Sequence, residues 1–143
     1  MRLLVWKRIY EARLTYKMRE LPPIEMSKVN EILRRLPEAN QDILGAAVVS
    51  NEGLMLAGEI PKNMDEDLVS AAFAALMSIA ERASQQVGFG NVAQLIILSE
   101  NGGALVCSGR KSSLVILMKP NANLGLILID ATNIVRDIKD VLG

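Results

Sequence analysis

Apolar residues along this chain fall into two kinds of pattern, a three-to-four spacing and short continuous runs, and their alternation predicts the elements. Val29, Ile32, Leu33 and Leu36 recur at helical spacing behind Ser27, a residue able to cap a helix, and Pro37 follows. This predicts a short first helix. Residues 43–50 and 54–59 are apolar runs joined by Asn51-Glu52-Gly53, a glycine-closed turn, and read as a β-hairpin. Asn63 with Glu66 has the form of a capping box, and Asp65 and Asp67 add negative charge where a helix N-terminus favours it. No breaker intervenes before Val87 and Gly88, so a long helix is expected there.

Three further runs, residues 92–99, 104–108 and 113–119, are separated by Asn101-Gly102-Gly103 and by the polar loop 109–112, and predict a meander of strands. After Pro120, Leu124, Leu128, Ala131, Val135, Ile138 and Leu142 alternate steps of four and three, a helical stripe to residue 142, although 126–129 taken alone also fits a strand. The order is helix-strand-strand-helix-strand-strand-strand-helix, with no internal repeat. Leu95-Ile96-Ile97-Leu98 and Leu114-Val115-Ile116-Leu117 are apolar on both strand faces, so the sheet needs cover on both sides. The expected class is α/β: a five-stranded, mostly antiparallel sheet between helical layers.

The long helix carries more apolar surface than one sheet requires. Val69, Phe73, Leu76, Ala80, Ala83 and Val87 form one stripe, and Leu68, Ala72, Ala75 and Ile79 a second beside it, widened by Ala71 and Ala74. Small side chains let another helix approach closely, and wide apolar patches are uncommon on monomers. The apolar run 92–99, if it lies at a sheet edge, calls for the same cover. A second subunit is therefore expected to pack here.

Composition narrows the chemistry. The chain has 143 residues, 50% of them hydrophobic, enough to bury one core, and only 3% aromatic, which leaves little ring surface for stacking nucleobases. Nucleic acid is not expected as a partner. Histidine is absent and Cys107 is the single cysteine, which removes the commonest general base, the usual zinc ligands and the Ser-His and Cys-His nucleophiles together. No catalytic residue, cofactor or metal is expected.

The charges cancel overall but not locally: residues 1–20 hold six basic and two acidic side chains, 6 − 2 = +4, which leaves −4 for the remainder. Residues 1–25 thus read as a basic N-terminal extension, with a loose helical stripe of Leu3, Trp6, Tyr10 and Leu14, before a domain spanning 26–143. Few apolar residues back membrane contact by that segment. No run reaches the roughly 20 residues of a bilayer span, and the cytoplasm is the expected compartment.

Short motifs have plain explanations. Gly109-Arg110-Lys111-Ser112 has Arg110 where a phosphate-binding loop needs glycine, and it leads into a strand. Gly88-Phe89-Gly90 follows a helix and reads as a helix stop, Asp65-Glu66-Asp67 as a capped helix start, Cys107 as a small strand residue and Arg82 as a surface or interface charge, not an arginine finger.

The run Ile43 to Gly53-Leu54, then Asp65-Glu66-Asp67 opening an alanine-rich helix, then Gly88-Phe89-Gly90 and Asn121-Ala122-Asn123-Leu124-Gly125, resembles the roadblock family in order and spacing over about residues 27–142. That family occurs in dynein light chains, in the bacterial regulator of a Ras-like motility GTPase and in many prokaryotic proteins. The resemblance implies a profilin-like roadblock topology and a homodimer, or a heterodimer with a similar chain, in which long helices pack together and third strands pair edge to edge. It places Leu68, Ala71, Ala72, Ala75, Ile79, Arg82, Ala93, Leu95 and Ile97 at the dimer interface. It also implies a non-catalytic regulator or scaffold for a Ras-like small GTPase. The alternative is a longin- or profilin-like trafficking or cytoskeletal adaptor, which shares the topology. A small-molecule sensor finds no support, since the sequence displays no cluster of convergent polar residues.

Overall fold

The protein is described by a computed structural model covering residues 23–143. The basic stretch with Leu3, Trp6, Tyr10 and Leu14 lies outside the described residues.

Helix α1 (Pro23–Ala39) begins before Ser27 and contains Pro37 in its last turn, although the apolar spacing places Pro37 after the helix. Proline suits the first turn, because an N–H there would have no intrahelical acceptor. At the far end, burial of Val29, Leu33 and Leu36 against the sheet holds the last turn past Pro37, and the Asn40 N–H still reaches the Leu36 carbonyl at 2.9 Å. Tertiary packing here outweighs a local breaker.

β1 (Ile43–Ser50) and β2 (Met55–Glu59) form the expected hairpin. Its turn is closed twice at Ser50: the Gly53 N–H donates to the Ser50 carbonyl at 3.0 Å, and the Leu54 N–H to Ser50 Oγ at 3.0 Å. A bulge between Val48 and Val49 shifts the register with β2.

Helix α2 (Glu66–Gln86) is capped by Asp65, not Asn63: its carboxylate accepts from the Asp67 N–H at 3.0 Å and the Leu68 N–H at 3.2 Å. Residues 61–64 are spent on a turn, with the Met64 N–H on the Pro61 carbonyl, so the cap and the helix start fall two residues later than expected.

β3 (Gln94–Ser99), β4 (Gly102–Ser108) and β5 (Ser112–Met118) form the meander, and the sheet runs β2-β1-β5-β4-β3 with every neighbour antiparallel. α2 carries the chain from one edge of the sheet to the other. Side-chain alternation divides the core accordingly. Ala46, Val48, Leu105, Leu114 and Ile116 meet α1 and the C-terminal helices on one face; Ala47, Val49, Val106, Val115 and Leu117 meet α2 on the other.

The last predicted helix is two. α3 (Leu124–Asp137) is capped by Ile138, and α4 (Lys139–Leu142) follows. The apolar stripe continues, since Ile138, Val141 and Leu142 are buried. At the junction the Val141 and Leu142 N–H groups share the Ile138 carbonyl, at 2.9 and 3.2 Å, which tightens the last turn. Ser112 Oγ donates to the Val141 carbonyl at 3.0 Å and the Lys111 N–H to that of Leu142 at 2.9 Å, which ties the chain end to the β4–β5 loop.

Candidate interaction surface

α2 is shallowly seated. Of its 21 residues only Ser70 and Met77 are buried. Its outer crest is apolar, with Leu68 69% and Ile79 64% exposed and Ala72 and Ala75 open between them. An α-helix turns about 100° per residue, so Leu68, Ala72, Ala75 and Ile79 share the side opposite Met77. One flank is fixed by the β1–β2 turn, because a Cβ on Gly53 would lie 3.2 Å from the Ala71 backbone. Ala71 faces that turn, and Arg82, three turns on, shares its flank. The other flank, carrying Val69, Leu76, Ala80 and Ala83, therefore faces the β3 side of the sheet.

β3 is an edge strand. It holds no charge and no proline from Gln94 to Ser99, the devices that usually blunt an edge. Leu95 and Ile97 are half-buried under α2, while Ile96 and Leu98, on the opposite face, are exposed, Leu98 by 70%. Ala93, just before the strand, is exposed as well. The other edge, β2, is shorter and bulged and ends on Glu59. Leu68, Ala72, Ala75 and Ile79 thus share the outer crest of α2, Ala71 and Arg82 lie on its flank toward the β1–β2 turn, and Ala93, Leu95 and Ile97 belong to the β3 edge or directly precede it.

Between α2 and β3 the loop is firmly built. The Gly88 N–H donates to the Gln85 carbonyl and the Phe89 N–H to that of Ser84, the paired bonds of a Schellman stop, with Gly88 at φ 77°. Ser84 Oγ then donates to the Gly90 carbonyl at 2.7 Å, Gln85 Nε2 to Asn91 Oδ1 at 3.1 Å, and the Val92 N–H to Glu81 Oε1 at 3.1 Å. This lacing displays Phe89 with 82% of its surface exposed. The sequence marked Gly88-Phe89-Gly90 only as a stop; the overlooked signal is a large aromatic between two glycines, with nothing nearby to cover it.

The Roadblock/LC7 domain matches residues 29–118, more than half of the chain and all five strands. The chain belongs to the Roadblock/LC7 family. Among relatives, it is 33% identical over 113 residues to the uncharacterised protein MJ0714 of Methanocaldococcus jannaschii, spanning 79% of this chain and 95% of that protein. It is 34% identical over 99 residues to MJ1340 of the same organism, spanning 69% and 87%. The fold matches MglB in a tetrameric arrangement, with a TM-score of 0.76 and 16% identity over 85% of this chain and 93% of that one. Myxococcus xanthus MglB superposes with a TM-score of 0.76 at 14% identity, covering 85% and 92%. A Roadblock/LC7 domain from Streptomyces avermitilis gives 0.72 at 18%, covering 79% and 96%.

This roadblock domain does gather polar side chains in one place, contrary to the expectation from sequence. A cleft of about 500 Å³ between α2 and the sheet is lined by Ser78, Glu81, Ser108, Arg110 and Ser113, drawn from α2, β4, β5 and their loop. Several of its polar groups are used to pin loops: Glu81 Oε1 holds the Val92 N–H and receives Ser108 Oγ at 3.5 Å, and Asn51 Nδ2 donates to the Arg110 carbonyl at 2.9 Å. Residues 109–111 form the turn between β4 and β5, and Lys111 with Ser112 at the start of β5 makes the contacts with α4 described above. Among the described residues no group of three or more His, Cys, Asp or Glu is placed to hold a metal, and no helix is long and apolar enough to cross a membrane. Cys107 is buried in β4, and loss of water around it pushes its thiol up to about 11.

Proposed function

We propose that this chain is a non-catalytic roadblock-type regulator or scaffold that acts as a dimer and binds a Ras-like small GTPase. The observations that carry the reading are an apolar α2 crest left open and a β3 edge without charge or proline. Either feature alone is a liability for a monomer. Together they fit a two-fold arrangement in which β3 pairs antiparallel with β3 of a second copy and the two α2 helices pack side by side on one face of the continuous sheet. Leu68, Ala72, Ala75 and Ile79 would line the helix contact, and Ala93, Leu95 and Ile97 the strand contact. The likeness in fold to MglB, solved in a tetrameric arrangement, supports self-association.

A roadblock domain that lacks histidine acts on a GTPase by shaping the partner, not by supplying a base. The second copy is taken as identical; a similar roadblock chain would present the same kind of surface. Light scattering tests the dimer, with twice the chain mass expected. A pull-down with a small GTPase from the same genome, loaded with GTP or GDP, tests the partner: capture that depends on the nucleotide is expected, and binding to neither form would count against the reading.

A further inference from the structure

Phe89 and the apolar cleft at the opposite end of β3 fit each other across the two-fold arrangement. The cleft, of about 510 Å³, is walled by Phe73 from α2 and by Ile97, Gly103, Ala104 and Leu117 from the sheet, with Glu100 and Asn101 at its mouth. It opens where β3 turns into β4. Phe89 stands at the other end of the same strand, in the loop that leads into it.

We propose that Phe89 of each copy inserts into this cleft of the other, so that each cleft is completed only by the second subunit. The inference rests on the dimer reading given above and deepens it. Two geometric arguments converge. Antiparallel pairing of β3 with its counterpart sets the start of one strand against the end of the other, which brings the loop 87–92 of one copy beside the turn at Glu100 and Asn101 of its mate. Antiparallel packing of the α2 helices sets the C-terminal end of one against the N-terminal half of the other, where Phe73 forms the cleft wall. The two-fold operation makes the contact reciprocal, so it occurs twice per dimer.

The energetics favour the same occupant. An aromatic held out on a rigid loop loses little freedom when it docks, and the bonds from Glu81, Ser84 and Gln85 have already fixed this loop. Aromatic anchors in desolvated pockets are the residues on which interface stability concentrates. The cleft walls are apolar, so a ring entering them strands no polar group; Glu100 at the rim stays in water.

Two variants test the inference. Phe89→Ala removes the ring from a position that is 82% exposed in a single chain, so the subunit is expected to fold as before, with unchanged circular dichroism. Its dimer dissociation constant, read by sedimentation, is expected to rise on the order of 100-fold or more, since two anchors are lost at once. Separately, the double variant Phe89→Cys/Asn101→Cys is expected to give an interchain disulfide under mild oxidation, visible as a dimer band that reductant removes. An intact dimer with unchanged affinity in Phe89→Ala and no crosslink in the double variant would overturn the insertion while leaving the dimer standing. So would a variant that dimerises normally but no longer captures a small GTPase, which would assign Phe89 to that partner. A wild-type chain that stays monomeric at every concentration would instead remove the dimer, and the insertion with it.

Discussion

Gly58 sits at φ 97° on β2, and a Cβ built there would come within 2.1 Å of the Ala46 carbonyl oxygen on β1. Both the dihedral and the close approach demand glycine, and the Gly58 N–H also anchors α1 by donating to Asn30 Oδ1 at 2.8 Å. Gly58→Ala is therefore expected to cost at least about 3 kcal/mol, measured as a drop in the urea midpoint, because strain and a backbone clash add. Cys107 behaves oppositely: nothing is strained, but its charged form is excluded. The folded thiol titrates near 11 and the unfolded one near 9.0, so between those pH values the unfolded chain has released a proton that the folded chain still holds. Stability from this group is complete below pH 9 and falls as pH rises toward 11. Alkylation of Cys107 at pH 8 is expected to be slow in the native protein and fast in denaturant; equal rates would refute a buried thiol.

At the scale of elements, the sequence pattern recovered every strand, since apolar runs and tight turns are local signals read from neighbours. Helix ends were less legible because several groups compete for them. Asp65, Asn63 and Ser27 are all good caps on paper, and the choice falls to whichever residue the preceding turn leaves free. Asp65→Ala should cost about 1 kcal/mol, whereas Asn63→Ala should change the melting temperature little. The break at Ile138 was invisible, since the apolar stripe runs on through it, and the bonds from the Ser112 hydroxyl and the Lys111 N–H that tie down the chain end come from more than 25 residues upstream. The surplus apolar width of α2 could be read directly; its facing could not. Burial of Ser70 and Met77 and the close approach of Gly53 to Ala71 turn that helix so that Ala71 and Arg82 lie on one flank and Leu76 and Ala83 on the other. The polar cleft escaped for a related reason, as it is assembled from segments far apart in sequence, whereas the signal of Phe89, an aromatic between two glycines, is local.

For the whole molecule, stability and assembly become one quantity if the α2 crest and the β3 edge are covered only in a dimer. Unfolding of such a dimer releases two chains, so mass action makes its melting temperature rise with protein concentration, while a monomer melts at one temperature whatever its concentration. Ile79 separates the two cases cleanly. Its side chain is 64% exposed in the single subunit, so Ile79→Glu leaves the subunit core of Met77, Val106 and Val115 untouched. In a dimer built across the α2 crest, however, the same change sets two carboxylates near the axis of an apolar contact, where desolvation and mutual repulsion oppose assembly. The wild type is therefore expected to melt higher as it is concentrated a hundredfold, and Ile79→Glu to run as a monomer by light scattering, with a lower melting temperature that concentration does not move. A concentration-independent melt in the wild type would mean that the subunit is stable alone and that its exposed crest serves a different partner.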